Sequence, residues 1–389
     1  MQGFKLLLKI IIAIALGVLL GSFVPEWAIK TFATFNDLFG NFLGFIIPLI
    51  IIGFIIPGIG SLGKGAGKLL GITALVAYTS TIIAGIVAYF IAKGLYPTML
   101  KGQSAANLDD PSEGLISGYL EDFFIEPPLD VLTALILSFV VGIGIAVING
   151  EALLNVMDEF KNIIEVVISK VIIPLLPFHI FGIFANMTYA GQVSTIISVF
   201  AKVFILIIIL HLLYLVFIYI TAGSMSKQNP FHMLKTMSPA YFTALGTQSS
   251  AATIPVTLHS AKQLKVRHNV ADFTIPLLAN IHLAGSTITI VCTGLAVMFI
   301  QGDIASFGMI VQFILVLGVT MIAAPGVPGG AVMAAIGLLE SMLGFGPTMV
   351  SLMIALYLAQ DSIGTACNVT GDGAITTIVD SMHKEEKTV

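Results

Sequence analysis

Residues 360–372 read QDSIGTACNVTGD. They lie inside an apolar run from about Pro347 to Val379, which is long enough to cross a membrane as a helix, a crossing that takes roughly 20 residues. Asp361, Thr365, Asn368 and Asp372 are spaced by four, three and four. On an α-helix that spacing makes one continuous polar stripe. Two carboxylates inside so hydrophobic a helix are costly unless they face partners, water or ions. One reading is a site for a cation and a polar solute. The other is a stripe satisfied by neighbouring helices. The first is favoured, because a structural stripe rarely needs two acids and no lysine lies nearby in sequence.

Composition sets the class of protein that contains this stretch. The chain has 389 residues, 57% hydrophobic and 10% charged, with a net charge of -4 and a mean hydropathy of +1.03. A soluble domain carries about 25% charged residues, so 10% is too little to cover a wetted surface of this size. A soluble enzyme, a nucleic-acid binder and a disordered chain are all disfavoured. Cys292 and Cys367 both sit in apolar stretches and suggest neither a disulfide framework nor a zinc site. Every cation but Arg267 is a lysine. The class is an all-α polytopic membrane protein.

Spans are expected from about Leu6 to Phe23, Leu38 to Ile59, Leu70 to Ala92, Val131 to Ile148, Phe160 to Phe184, Ile196 to Ile220, Asp272 to Phe299 and Pro347 to Val379. The first lacks the usual small-residue cleavage site and reads as a retained helix, not a signal peptide. The polar stretch from Tyr96 to Pro128, with Asp109, Asp110, Glu113, Glu121, Asp122 and Glu126, reads as an extramembrane loop. Two further segments are apolar but broken. From Met237 to Leu258 the centre is ALGTQSSAATIP, residues 244–255, and from Phe307 to Leu343 it is APGVPGGA, residues 324–331. Irregular backbone is tolerated at depth only where protein encloses it or it lines a cavity, and a Pro/Gly cluster cannot continue a helix. Both segments read as re-entrant helical hairpins, at about 230–260 and 307–344. With eight spans and two hairpins that do not cross, Lys5, Lys9, Lys64, Lys68, Lys227, Lys235, Lys262, Lys265, Arg267, Lys384 and Lys387 all fall on one side. By lysine bias that side is cytoplasmic and holds both termini.

Half-helix N-termini at the first hairpin tip, around Thr247, Gln248, Ser249 and Ser250, suit an anionic group such as a carboxylate. The seventh span is interrupted by NIHLAGST, residues 280–287, and its freed carbonyls suit a hard cation such as sodium. Half-helix ends, an unwound segment and membrane-embedded acids are the parts of a secondary transporter. No phosphate-cradling loop indicates ATP-driven transport. His282 could exchange protons or serve as a hydrogen-bonded structural histidine. Glu165 and Lys170 read as interface or inter-helix pairing groups, and His211 and Lys202 are weaker candidates. No nucleophile–base pair or metal-ligand cluster points to an enzyme.

The order of these features resembles the dicarboxylate/amino-acid:cation symporters, the glutamate transporter homologues, over nearly the whole chain. GTQSSAATIPVTL is similar to their first hairpin tip, HLAGSTIT to the seventh-helix NMDGT motif, PGVPGG to the second tip and DSIGTACNVTGD to the eighth-helix substrate and sodium motif. The resemblance implies a homotrimer with an elevator mechanism. A static scaffold, residues 1–64 and 97–193, would hold a mobile transport domain, residues 65–96 and 194–389, with the second hairpin as outer gate. Asp361 matches the acid that binds the substrate ammonium group. Asn368, helped by the amides of Ser249 and Ser250, matches the asparagine that holds the α-carboxylate. Thr365 and Ser286 match positions near the substrate side chain, and Gly329 and Gly330 of the second tip would line the same pocket. Asp372 matches the sodium-binding carboxylate, completed by carbonyls of Leu278, His282 and Asn368. A second sodium would use carbonyls near Asn280, Met321, Ile322 and Ala324.

The departures from the family bear on substrate. Members that carry acidic substrates have an arginine where this chain has Gly364, and commonly another where it has Gln248. The seventh-helix aspartate is Ala284 and the asparagine of NMDGT is His282. Alanine at 284 and QDS at 360–362 resemble the sodium/serine-threonine branch. A buried carboxylate without a cationic partner costs several kcal/mol, so dicarboxylates are disfavoured. The expectation is cation-coupled symport of small neutral amino acids such as serine, threonine or alanine. Sodium is the preferred ion, and no cofactor or nucleic-acid partner is expected. The expected location is a cell inner or plasma membrane. The alternatives are a proton- or sodium-coupled carrier of an organic acid using His282, and an anion-conducting channel.

Overall fold

The computed structural model describes residues 2–61, 67–100, 115–120, 125–191, 193–300, 302, 306–324 and 328–383. The expected acidic loop residues Asp109, Asp110, Glu113, Glu121 and Asp122, the lysines at 64, 384 and 387, and residues 325–327 of the second tip lie outside these. The described residues form helices and no strands. In chain order these are α1 (Gln2–Gly21), α2 (Glu26–Gly60), α3 (Gly67–Met99), α4 (Val131–Ile148), α5 (Glu151–Val167), a π-turn (Ile168–Ile172), α6 (Ile173–Tyr189), α7 (Val193–Ser226) and α8 (Pro230–Thr236). After these come α9 (Ser238–Thr247), α10 (Ser250–Lys262), α11 (His268–Ile281), α12 (Ala284–Ile300), α13 (Phe307–Ala323), α14 (Gly330–Leu343) and α15 (Pro347–Met382).

Among the described residues six stretches are long and apolar enough to cross a membrane: 26–60, 68–99, 151–189, 197–226, 268–300 and 347–382. Those from 268 and 347 are central, with 94% and 89% of their apolar windows buried, against 39% for those from 68 and 151. The outer helices leave apolar side chains exposed, among them Phe90, Val140, Val147, Ile205 and Leu213. Exposed apolar faces around a buried polar centre are the arrangement a lipid solvent requires. Many hydroxyls inside the apolar helices are satisfied by carbonyls one turn back, as in Thr73 to Leu69, Ser138 to Ala134 and Thr274 to Val270, so these three need no water at depth.

Several boundaries differ from the expectation for local reasons. The second span starts at Glu26, not near Leu38, because Pro25 can precede a helix but the polar residues after it do not stop one. The fifth runs from 151 to 189, and its π-turn sits just ahead of Pro174 and Pro177, where it accommodates their missing donors. The first hairpin was expected from about 230, but residues 230–236 form the separate helix α8, capped by Asn229, whose side chain accepts from the N–H groups of Phe231 and His232. The paired arms begin at Ser238.

Those arms, α9 and α10, pack on each other, as do α13 and α14. Each pair surrounds a broken tip. At the first, Gln248 takes a left-handed conformation (φ 53) to end α9, and the Ser249 side chain caps α10. At the second, Gly329 has φ 75, a region open to glycine at little cost. Arms that pack on each other make each segment a helical hairpin and not one continuous helix. Elsewhere α1 packs on α6 through Gly17 and Gly21, where a Cβ would run into the carbonyls of Phe181 and Ala185. α2 packs on α4, α5 and α6, while α15 packs on α7, α9 and α12.

Arg267 closes the last helix. Its Nε donates to Asp380 Oδ1 at 2.7 Å, and Nη2 donates to the carbonyls of Asp380 (3.0 Å) and His383. A guanidinium fork on a helix C-terminus satisfies carbonyls that the helix itself leaves open and opposes its dipole. Arg267→Ala is expected to cost about 1 kcal/mol of stability, since the group is partly exposed. Arg267→Lys should recover only part of it, because an ammonium lacks the fork. Thermal unfolding of the purified protein checks this, and an unchanged curve for Arg267→Ala would refute the clamp.

Candidate functional site

The site is organised by a break in one buried helix and the polar stripe on another. α11 ends at Ile281, His282 is extended (φ -116, ψ 93), and α12 starts at Ala284. A break frees backbone groups that have to be satisfied inside protein. Side chains from two other helices satisfy them. Asn368 Oδ1 on α15 accepts from the N–H groups of Gly285 (2.7 Å) and Ser286 (3.3 Å). His211 Nε2 on α7 lies 2.9 Å from the Gly285 carbonyl and so donates to it. The helices meet closely here, since a Cβ on Gly285 would stand 2.6 Å from the Gly364 carbonyl and 2.8 Å from Cys367 Cβ.

Around this crossing one cluster forms on Asp361, which is buried. Its Oδ2 accepts from the Gly329 N–H at 2.7 Å, so the second tip reaches the stripe directly. The hydroxyls of Tyr357 and Thr365 stand beside the same carboxylate. Tyr357 Oη donates to Ser286 Oγ at 2.9 Å, and Asn368 Nδ2 donates to the same oxygen at 3.0 Å. Asp361, Tyr357, Ser286, Asn368 and the Gly329 amide thus make one buried network.

A second cluster forms on Asp372, also buried. Its Oδ1 is 2.8 Å from His282 Nδ1. His282 Nε2 lies 3.1 Å from Tyr214 Oη on α7 and 3.3 Å from Ser80 Oγ on α3, and those two hydroxyls are 2.6 Å apart. The network reads as Ser80 donating to Tyr214, Tyr214 to Nε2, and Nδ1–H to Asp372, an assignment made from the partners since hydrogen positions follow from the network. One turn further, Tyr219 Oη donates to the Thr370 carbonyl at 2.7 Å, and Thr274 and Thr376 pair at 2.9 Å.

The residues singled out from the sequence fall into three groups. Ser286, Gly329, Asp361, Thr365 and Asn368 come together at the first cluster, with Gly330 buried at the start of α14 beside it. His282 and Asp372 come together at the second, and the Leu278 carbonyl there accepts the His282 N–H at 2.9 Å. The remainder surround these. Gln248 and Ser250 are buried at the first tip, whose arm α9 packs on α15, and the Gln248 Nε2 has no hydrogen-bond partner among the described residues. The Ser249 N–H faces Thr247 Oγ1 at 3.4 Å. Gly364 points at α12, with Thr289 Oγ1 3.6 Å from where its Cβ would be. Met321 and Ala324 are buried and Ile322 half-buried at the end of α13, which packs on α11, whereas the Asn280 side chain is exposed and bonds to the Pro276 carbonyl.

Four participants were not singled out for the site. Tyr357 lies four residues before Asp361 on the same helix face, a periodicity that would have found it. Ser80 lies in the hydroxyl run YTST, residues 78–81, Thr289 at the end of HLAGSTIT, and Tyr214 in an otherwise apolar stretch of α7. His211, a weak candidate from sequence, proves to hold the break. Lys202 Nζ donates to the Met99 carbonyl at 3.0 Å. Among the described residues Glu165 pairs within its own helix with Lys161 at 3.9 Å, because residues four apart face each other.

Buried acids, a broken helix and a hairpin tip that touches one of the acids define a membrane carrier. A family model for the sodium:dicarboxylate symporter family matches residues 6–382. The chain is 26% identical to the serine/threonine transporter SstT of Acinetobacter baumannii strain AYE over 395 residues, covering 98% of each chain. It is 27% identical to that of strain SDF over 394 residues, again 98% of each. The chain belongs to the sodium:dicarboxylate symporter family. It is a multi-pass membrane transporter that works by cation-coupled symport, and it is not an enzyme.

The crossing gives an asymmetric prediction. Gly285→Ala forces a Cβ onto backbone and should cost about 1–3 kcal/mol, with loss of uptake. Gly364→Ala adds a methyl at ordinary contact distance and should stay within about 0.5 kcal/mol. Melting temperatures of the two variants check this; equal melting would show that the helices are not packed this closely.

Proposed function

We propose that this protein is a sodium-coupled importer of small neutral amino acids, with serine, threonine and alanine as substrates. One observation carries the substrate class. The only arginine in the chain is Arg267, and it is committed to Asp380 and His383 at the end of α15. The arginine position of acidic-substrate members is Gly364, packed against α12. No guanidinium is left to pair a second substrate carboxylate. Asp361 supplies the anionic partner for a substrate ammonium group, and the Gly329 amide beside it belongs to the tip that would open and close. Asn368, Thr365, Ser286 and the first tip at Gln248, Ser249 and Ser250 would hold the carboxylate and side chain. The serine/threonine transporters to which the chain is similar point to the same substrate class.

Sodium would meet the Asp372 carboxylate with the carbonyls of Leu278, His282 and Asn368, and a second ion would sit among carbonyls near Asn280, Met321, Ile322 and Ala324. Transport would follow an elevator mechanism in a homotrimer with eight spans, cytoplasmic termini and a location in the inner or plasma membrane. The packing of α1, α2 and α4–α6 on one another, and of α3, α7, α9 and α12 around or near α15, supports a scaffold of 1–64 and 97–193 and a transport domain of 65–96 and 194–389. His179 on α6, bonded to Ser351 on α15 at 2.7 Å, would be one of the contacts that motion breaks.

Proteoliposomes with an inward sodium gradient are expected to take up serine, threonine or alanine faster than glutamate or succinate. Sodium-driven glutamate or succinate uptake above that of serine would sink the proposal. Uptake driven by a pH gradient without sodium would favour the proton-coupled reading instead. Asp361→Asn should lower serine uptake about a hundredfold, the scale of losing one partner of a buried charge pair, and a variant that keeps near-normal uptake would refute the role of that carboxylate.

A further inference from the structure

We propose that His282 is a positioning residue for the coupling cation: with Tyr214 and Ser80 behind it, its imidazole fixes the Asp372 carboxylate by one oxygen and leaves the other to face sodium. This rests on the reading of Asp372 as the sodium-binding carboxylate.

The geometry is that of a ligand held from behind. The two side chains are 0% and 1% exposed, and Asp372 Oδ1 takes the hydrogen bond from Nδ1 at 2.8 Å. Oδ2 takes none from the described residues. A carboxylate with a single hydrogen bond still pivots about that bond if its partner is loose. Here the partner is not loose. The ring is fixed at Nε2 by Tyr214, which Ser80 holds in turn, on two further helices. It also lies flush on Gly371, where a Cβ would stand 3.0 Å from Cε1. The helix break makes this possible. His282 is extended, so its side chain can turn to α15 and not follow the helical stripe of α11. A binding group has to be held to within about 0.5 Å by neighbours that are themselves fixed. In metal sites the removal of such an outer partner costs about 10–100-fold in affinity.

The identity of the donor matters more than bulk. An asparagine at 282 can place its Nδ2–H near the position of Nδ1–H, whereas alanine leaves Asp372 without this bond. Tyr214→Phe keeps the ring contact but removes the hydrogen bond to Nε2.

The test measures the sodium concentration for half-maximal effect in two ways: sodium-dependent thermal stabilisation of the purified protein, and serine uptake into proteoliposomes. His282→Ala should raise it about tenfold or more. His282→Asn should stay within about threefold, and Tyr214→Phe should raise it about threefold. The serine concentration for half-maximal uptake, at saturating sodium, should change less than about twofold in each, because uniform damage to the fold would move both constants. An unchanged sodium constant in His282→Ala overturns the proposal, as does equal impairment by Asn and Ala. Should His282→Ala not fold, an unchanged sodium constant in both Tyr214→Phe and Ser80→Ala overturns it. Asp372→Asn separates the two levels. If sodium dependence survives in that variant, the reading of the sodium site fails. If it is lost while His282→Ala behaves as wild type, only the positioning role fails.

Discussion

The structure depends on one exchange between two buried helices. The break between α11 and α12 leaves backbone N–H groups unmatched, and the stripe on α15 brings polar side chains that need partners. Asn368 meets both needs, accepting from Gly285 and Ser286 and donating to Ser286 Oγ. Without such a partner each unmatched group in a low-dielectric interior costs about 1–3 kcal/mol. The close approach at Gly285 and Gly364 puts these groups within reach, and His211 completes the set from α7. Everything distinctive about the site, including the direction of the His282 side chain, follows from that arrangement.

The same constraint explains why the least apolar of the six long spans is among the most buried. In a soluble protein a helix carrying Asp361, Asn368 and Asp372 would turn them to water. In lipid the polar stripe turns inward and apolar residues such as Val140, Ile205 and Leu213 face out. Besides the break at His282, the hairpin tips are irregular backbone that can approach the stripe, and the Gly329 amide on Asp361 shows one of them doing so.

Much of this was legible in the sequence. Spacing alone put Asp361, Thr365, Asn368 and Asp372 on one face, and breaker clusters marked both tips and the NIHLAGST interruption. The exact extents were less legible. Residues 230–236 look like part of a hairpin arm until Asn229 caps them separately, and the fifth helix continues through two prolines because a π-turn absorbs them. Tyr357 carried a detectable signal, four residues from Asp361. Ser80 and Tyr214 carried none: Ser80 is one of three adjacent hydroxyl residues, Thr79 to Thr81, of the kind that usually satisfy themselves within their own helix, and Tyr214 stands between leucines.

The sequence by itself determined the class, the polar stripe, the broken segments and the lack of any second arginine, because composition and local periodicity are properties of the chain. Tertiary structure decided where Arg267 goes, which helix matches the break, and that the His282 imidazole faces Asp372 with Tyr214 and Ser80 behind it. Those contacts join residues 68 to 202 positions apart. No local pattern encodes a meeting at that separation. It is fixed only when the helices pack, and the packing brings most of the buried polar groups at the break and the stripe to a partner.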